Sequence, residues 1–313
     1  MTGPVIAGAP GAGALTLGRW MAETLGAPLI VVVVHPAPAA LGSGRVDAEW
    51  VADRHRAAQT VLDEARAVLG DPPASPPASP PASPPASLPG SPAASPPASP
   101  PASPPASPAT SPAIEYRTIA SSSAAHGLHD LAEEVGASVI VVGRPGSTAE
   151  RLLAGSVCPV AVAPAEYTDP PGALGMIGVA YVDTPDGRAA LTEAARLAAR
   201  TGARLRLYTV VAAGKGAVPF LTGQDAENVF LETARDVYEQ SLEAAVASVP
   251  DCDADGRVIG GNVVDVLAGL AEVDVLYCGS RGYGPARRVL LGGVSARLIK
   301  RARRPVVVVP RSD

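Results

Sequence analysis

The residues most able to do chemistry lie between positions 279 and 295. Glycines stand at 279, 282, 284, 292 and 293, with Arg281, Arg287 and Arg288 among them. Glycine has no Cβ, so a loop rich in it lets a ligand approach backbone N–H groups closely. The apolar run 275–278 reads as a buried strand that ends at Gly279, and 294–303 reads as a helix opening just after Gly292 and Gly293. A helix start presents unpaired N–H donors and the positive end of the helix dipole. Strand, glycine loop and helix start together make an anion cradle suited to phosphate; the alternative is a surface loop with solvated arginines. A second candidate is Asp183. Thr184 suits a helix N-cap and Pro185 the first helical position, which leaves Asp183 free at the carboxyl edge of a strand over 176–182. That edge is where open α/β sheets bind ligands. The alternative for Asp183 is a second capping residue.

The spacing Gly279-x2-Gly282-x9-Gly292 resembles the G-x2-G-x9-G-[S/T] signature of the universal stress protein family, whose ATP-binding members hold ribose and phosphates with it. The chain departs from that signature at Gly293, which replaces the hydroxyl residue. One side-chain contact to phosphate is thereby lost; the backbone donor remains, and Ser295 offers a hydroxyl two residues on. The resemblance implies two tandem Rossmann-like domains, similar to adenine nucleotide alpha hydrolases, each a five-stranded parallel sheet with helices on both faces. It implies ATP as ligand, with ADP or AMP as alternatives and Mg accompanying the nucleotide. It assigns Asp183 to the adenine or ribose and Val210 to the base. Gly279, Arg281, Gly282, Gly292, Gly293, Val294 and Ser295 then form the phosphate-side loop and helix start. It also implies pairing of each domain's last strand, giving an internal pseudo-dimer, with a homodimer as a further option.

The elements that must position these residues repeat in one order. Strands are expected at 4–9, 28–34, 115–119, 138–142 and 160–163, alternating with helices at 13–25, 47–69, 126–134 and 148–154. In the 47–69 helix, Val51, Ala57, Val61, Leu62, Ala65 and Val68 are expected to face inward. The second series has strands at 176–182, 205–211, 257–259, 275–278 and 306–309, with helices at 185–200, 225–248, 263–272 and 294–303. The boundaries drawn are an N-terminal domain over 1–166, a linker over 167–175 and a C-terminal domain over 176–313. Residues 72–112 interrupt the first domain with seven PPAS tetrads and 18 of the chain's 34 prolines. Such a tract is expected to be disordered or polyproline II, spanning up to about 130 Å at roughly 3.1 Å per residue.

The two halves are not equivalent. From Gly143 to Gly146 is 3 residues, whereas from Gly279 to Gly292 is 13, so the first half lacks ten loop residues. Its nucleotide site is therefore expected to be degenerate, with Ala7 or Pro10 where the second half has Asp183. The GAPGAG at 8–13 has the wrong glycine order for a dinucleotide fingerprint, and no Lys follows a G-x4-G as in a P-loop. His126 and His129 read as a surface feature of a helix start.

A net charge of −5 with 4% aromatic residues argues against a nucleic-acid partner, since the basic residues 300–304 suit the end of a helix. Three scattered cysteines fit neither a disulfide framework nor a zinc site and suggest a reducing cytoplasm. The apolar run 29–34 is far short of the roughly 20 residues that span a bilayer. No Ser, His and Asp set and no carboxylate pair points to catalysis. The expected function is adenine-nucleotide binding by a stress or regulatory module, not an enzyme. The alternatives are a ligand-free scaffold acting through protein contacts and, more distantly, a nucleotide-dependent transferase.

Overall fold

The computed structural model describes residues 3–37, 44–70, 112–143, 146–165, 167–212, 224–280 and 293–310. The proline tract and the loop 281–292 lie outside these residues. The first half runs β1 (Val5–Ala9), α1 (Ala12–Leu25), β2 (Leu29–Pro36), α2 (Gly44–Leu69), β3 (Ile114–Ser121), α3 (Ala124–Val135), β4 (Val139–Val142), α4 (Ser147–Gly155) and β5 (Val160–Val162). The second runs β6 (Met176–Ala180), α5 (Pro185–Thr201), β7 (Arg204–Ala212), α6 (Gln224–Ala247), β8 (Ala254–Gly261), α7 (Val263–Ala268), β9 (Val275–Gly279), α8 (Gly293–Arg301) and β10 (Val306–Val309).

All strands join one sheet in the order β3-β2-β1-β4-β5-β10-β9-β6-β7-β8. Within each half the ladders are parallel. Between the halves β5 and β10 pair antiparallel, Val162 opposite Val306, Ala161 opposite Val307 and Val160 opposite Val308. The central strands are β-branched without alternation because both faces are covered: β4 and β10 are buried at every position. One face packs α1, α2, α5 and α6 through Leu17, Leu62, Leu197 and Leu242; the other packs α3, α4, α7 and α8 through Leu128, Leu152, Leu267 and Leu298. No described helix is long and apolar enough to cross a membrane.

β8 covers Ala254–Gly261 where only 257–259 was expected, and α2 and α7 also differ from expectation. In α2 the inward stripe is Ala58, Leu62, Ala65 and Leu69, while Val51 and Val68 are 37% and 50% exposed. Ala57 and Val68 each stand one residue, about 100° of helix turn, before a stripe position. In the second half α7 stops at Ala268 instead of running to 272, with Gly269 as its C-cap and its N–H on the carbonyls of Asp265 and Val266. Glu272 therefore lies outside the helix, where its carboxylate accepts the Tyr208 hydroxyl at 2.9 Å.

Candidate functional site

A cleft of about 360 Å3 opens at the carboxyl ends of β6, β7 and β9. It sits where the chain leaves β6 for β7 on one side and β9 for β10 on the other, the switch point at which open α/β sheets take ligands. Val182, Val210, Val263 and Leu267 give it apolar walls, and Tyr238 of α6 borders it. Gly279, Gly293, Val294, Ser295 and Arg297 bring the end of β9 and the first turn of α8 to the same space.

The sequence candidates are placed as follows. Val210, Gly279, Gly293, Val294 and Ser295 all line the cleft. Arg281, Gly282 and Gly292 lie outside the described residues. Asp183 is at the carboxyl edge of β6 but is not free: its carboxylate pairs with the Arg188 guanidinium and accepts the Tyr181 hydroxyl at 3.4 Å. Thr184 caps α5 as expected, accepting the Gly187 N–H at 3.1 Å. Ser295 is 4% exposed, and its hydroxyl donates to the Gly279 carbonyl at 2.9 Å. The side chain therefore ties the first turn of α8 to the end of β9 and leaves anion binding to backbone donors. At Gly293 a Cβ would meet no atom of the described residues within 4 Å.

Several functional neighbours escaped the sequence reading. Asp186, in the first turn of α5, is 7% exposed and accepts the Ser280 hydroxyl at 3.1 Å. It presses on Gly279 so closely that a Cβ there would lie 2.7 Å from its Cβ and 2.8 Å from its carbonyl oxygen. Glycine at 279 is thus required by packing, whatever ligand the cleft takes. Beneath the cleft, the Tyr208 hydroxyl donates to Glu272 at 2.9 Å. Burial, then this bond, pushes Tyr208 up to about 12. Beside it Arg206 holds both carboxylate oxygens of Asp255, at 2.9 and 2.8 Å, across β7 and β8. Burial pushes the Cys278 thiol up to about 12, so it lines the cleft as a neutral group.

The first half does not reproduce this arrangement. Ala161 and Val307, opposite each other across the halves, pair inward with Val141 and Tyr277. Counting from these pairs equates Gly143 with Gly279, Ala149 with Ser295 and Val34 with Val210. Register along β1 places Gly11, and counting from the helix start places Pro10, where Asp183 stands; neither carries a carboxylate. Among the described residues α3 packs closely on the sheet here. A Cβ on Gly127 would lie 2.9 Å from Val34 Cγ1 and 3.0 Å from Ser121 Cβ, so α3 rests directly on the position that Val210 leaves open. Leu128 closes over Gly8, its Cδ1 3.2 Å from where a Cβ would be. His126 and His129 sit in α3, 3.4 Å from Asp130 and 3.8 Å from Glu133.

A doubly wound α/β sheet with a cleft at its switch point and a glycine loop leading to a helix start defines a small class of proteins. Residues 175–310 match the model of the Universal stress protein family. Universal stress proteins of Mycobacterium bovis and Mycobacterium tuberculosis are each 30% identical over 215 residues, covering 63% of this chain and 72% of theirs. The fold is similar to that of a universal stress protein from Archaeoglobus fulgidus, with a TM-score of 0.59, 15% identity and coverage of 99% of this chain and 97% of that one. It is also similar to a functionally unknown protein from Pseudomonas aeruginosa, at TM-score 0.57, 12% identity and coverage of 99% and 93%. The chain belongs to the universal stress protein family.

Proposed function

We propose that the second half binds one adenine nucleotide per chain, ATP foremost with ADP or AMP as alternatives, and that the protein works as a stress-response or regulatory module. The observation that carries this reading is the composition of the cleft. Val182, Val210, Val263 and Leu267 suit a base, while Gly293, Val294 and Ser295 bring a helix start, with its unpaired N–H groups and positive dipole end, to the same space. Membership of the family and the glycine spacing 279, 282, 292 support the same ligand class. The role we propose is binding and not catalysis; the described lining is mostly apolar side chains and the start of α8. Mg2+ accompanying the nucleotide belongs to the same proposal; among the described residues no group of three or more His, Cys, Asp or Glu gathers.

Mass spectrometry of small molecules released from denatured protein, followed by calorimetry with ATP, tests the proposal. The expected result is an adenine nucleotide at one site per chain. Two equivalent sites would overturn the assignment to the second half. No binding at millimolar ATP would favour the scaffold reading, to which the missing hydroxyl at 293 and the Arg188-bound Asp183 would then belong.

A further inference from the structure

The sheet ends on β8, whose outer edge pairs with no other strand among the described residues. Its ladder to β7 runs unbroken from Leu205 opposite Ala254 to Ala212 opposite Gly261, so no bulge interrupts it, and the strand holds neither proline nor lysine. Those are devices that usually blunt a sheet edge. The Leu205 N–H donates to the Asp253 carbonyl at 2.9 Å, so in this parallel ladder the odd positions turn their peptide groups to β7. Ala254, Gly256, Val258 and Gly260 turn theirs outward, and no backbone group of the described residues bonds to them there. Alternation puts Asp255 and Arg257 on one face of the strand and Ala254, Gly256 and Val258 on the other. Arg206 holds Asp255 from the inner strand, yet that carboxylate is 34% exposed and has about four lone-pair sites in all. The Arg257 side chain is 53% exposed and lies 3.9 Å from Asp255. On the opposite face a cavity of about 710 Å3 opens between β8 and α6, with Leu242, Val246, Gly256 and Val258 in its lining.

We propose that a second copy of this chain docks on β8, the two β8 strands pairing antiparallel about a two-fold axis through Gly256. That axis sets outward peptide groups against outward peptide groups. It also sets Asp255 opposite Arg257 of the partner subunit, twice over, and Ala254 opposite Val258 of the partner subunit, beside the apolar mouth of the cavity. An axis through Arg257 would oppose two arginines, and like charges directly opposite are destabilising. The far edge, β3, carries the same acid and base, but they are engaged at home. Arg117 donates to both Glu115 oxygens at 2.6 and 3.2 Å and reaches Glu134 at 3.8 Å, and the Arg66 guanidinium lies over the Tyr116 ring between them.

The test is sedimentation equilibrium of the full chain over a wide concentration range, for the wild type, Arg257→Glu and Arg117→Glu. The wild type should show a monomer to dimer equilibrium. Arg257→Glu opposes acid to acid in both pairs and should weaken association at least about tenfold, whereas Arg117→Glu, at the equivalent place on β3, should match the wild type. Hydrogen exchange of the wild type needs no variant: the amides of Ala254, Gly256 and Val258 should exchange slowly where the dimer forms and quickly on dilution. A chain that stays monomeric throughout, a dimer indifferent to Arg257→Glu, or one that leaves those three amides fast would overturn the proposal.

Discussion

The Ser280 hydroxyl donates to the buried Asp186 carboxylate at 3.1 Å, bridging 94 residues of sequence. This bond fastens the residue that follows β9, where the glycine loop begins, to the first turn of α5. The carboxylate also lies where the positive end of the α5 dipole favours it. Asp186→Ala should lower stability by about 1–3 kcal/mol, the effect of removing a buried charged acceptor from a part-buried hydroxyl. The urea midpoint should fall with an unchanged slope, ATP binding should weaken, and Asp186→Asn, which keeps an acceptor, should recover most of both. A wild-type midpoint in Asp186→Ala would show that the contact does not hold the loop.

Gly279→Ala should disrupt the same junction from the other side. The new Cβ would fall within 3 Å of both the Cβ and the backbone carbonyl of Asp186, so no rotamer change relieves it. Overpacking of this kind destabilises by roughly 1–3 kcal/mol, and the displaced loop should lose nucleotide. Unaltered thermal unfolding would mean that β9 and α5 can move apart freely.

Gly293→Ser and Asp183→Ala should move affinity in opposite directions with little change in stability. The serine Cβ meets no atom of the described residues within 4 Å and would supply one hydrogen bond to a charged phosphate, tightening ATP by roughly tenfold to a hundredfold. The Asp183 side chain is 58% exposed in its pair with Arg188, and exposed pairs contribute less than about 1 kcal/mol. Its removal should therefore show in ATP titration far more than in denaturation. ATP binding indifferent to Asp183→Ala would remove that residue from the site. Substitution of Ser147, at the corresponding place in the first half, should change neither.

Stability should decline as the medium turns alkaline. Burial raises Cys158 to about 11 and Cys278 to about 12 from an ordinary thiol value of 9.0. Tyr167 and Tyr208 rise to about 12 from 10.0. The unfolded chain therefore releases these protons first, and between about pH 9 and pH 12 it binds fewer protons than the fold, so unfolding becomes easier as pH rises. Below pH 9 their contribution is fully present. Urea midpoints measured from pH 7 to 10.5 should be level and then fall; a level profile to 10.5 would contradict the burial of these groups.

The order of elements along the chain and the residues 279 and 293–295 of the candidate cleft were legible because they depend on local signals: β-branched runs, helix stripes and glycines after strands. What the sequence hid depends on packing between distant segments. Asp186 reads as an ordinary first-turn acid until β9 brings Ser280 against it. Glu272 reads as helical until Gly269 ends α7 and leaves its carboxylate to Tyr208. Gly127 reads as a weak helix position, yet its missing side chain is what lets α3 close on Val34. Asp183 reads as unengaged because nothing in the order of residues shows that Arg188, one turn into α5, turns back to it.

The antiparallel join of β5 and β10 has a consequence for symmetry. A dimer of identical chains must carry the same site twice, and any residue that improves one copy's interior is also imposed on the other's cleft. Placing both copies in one polypeptide lifts that constraint and makes their association independent of dilution. Each copy is then at liberty to change on its own, as where Leu128 packs over Gly8 in one half while Val210 lines the cleft in the other.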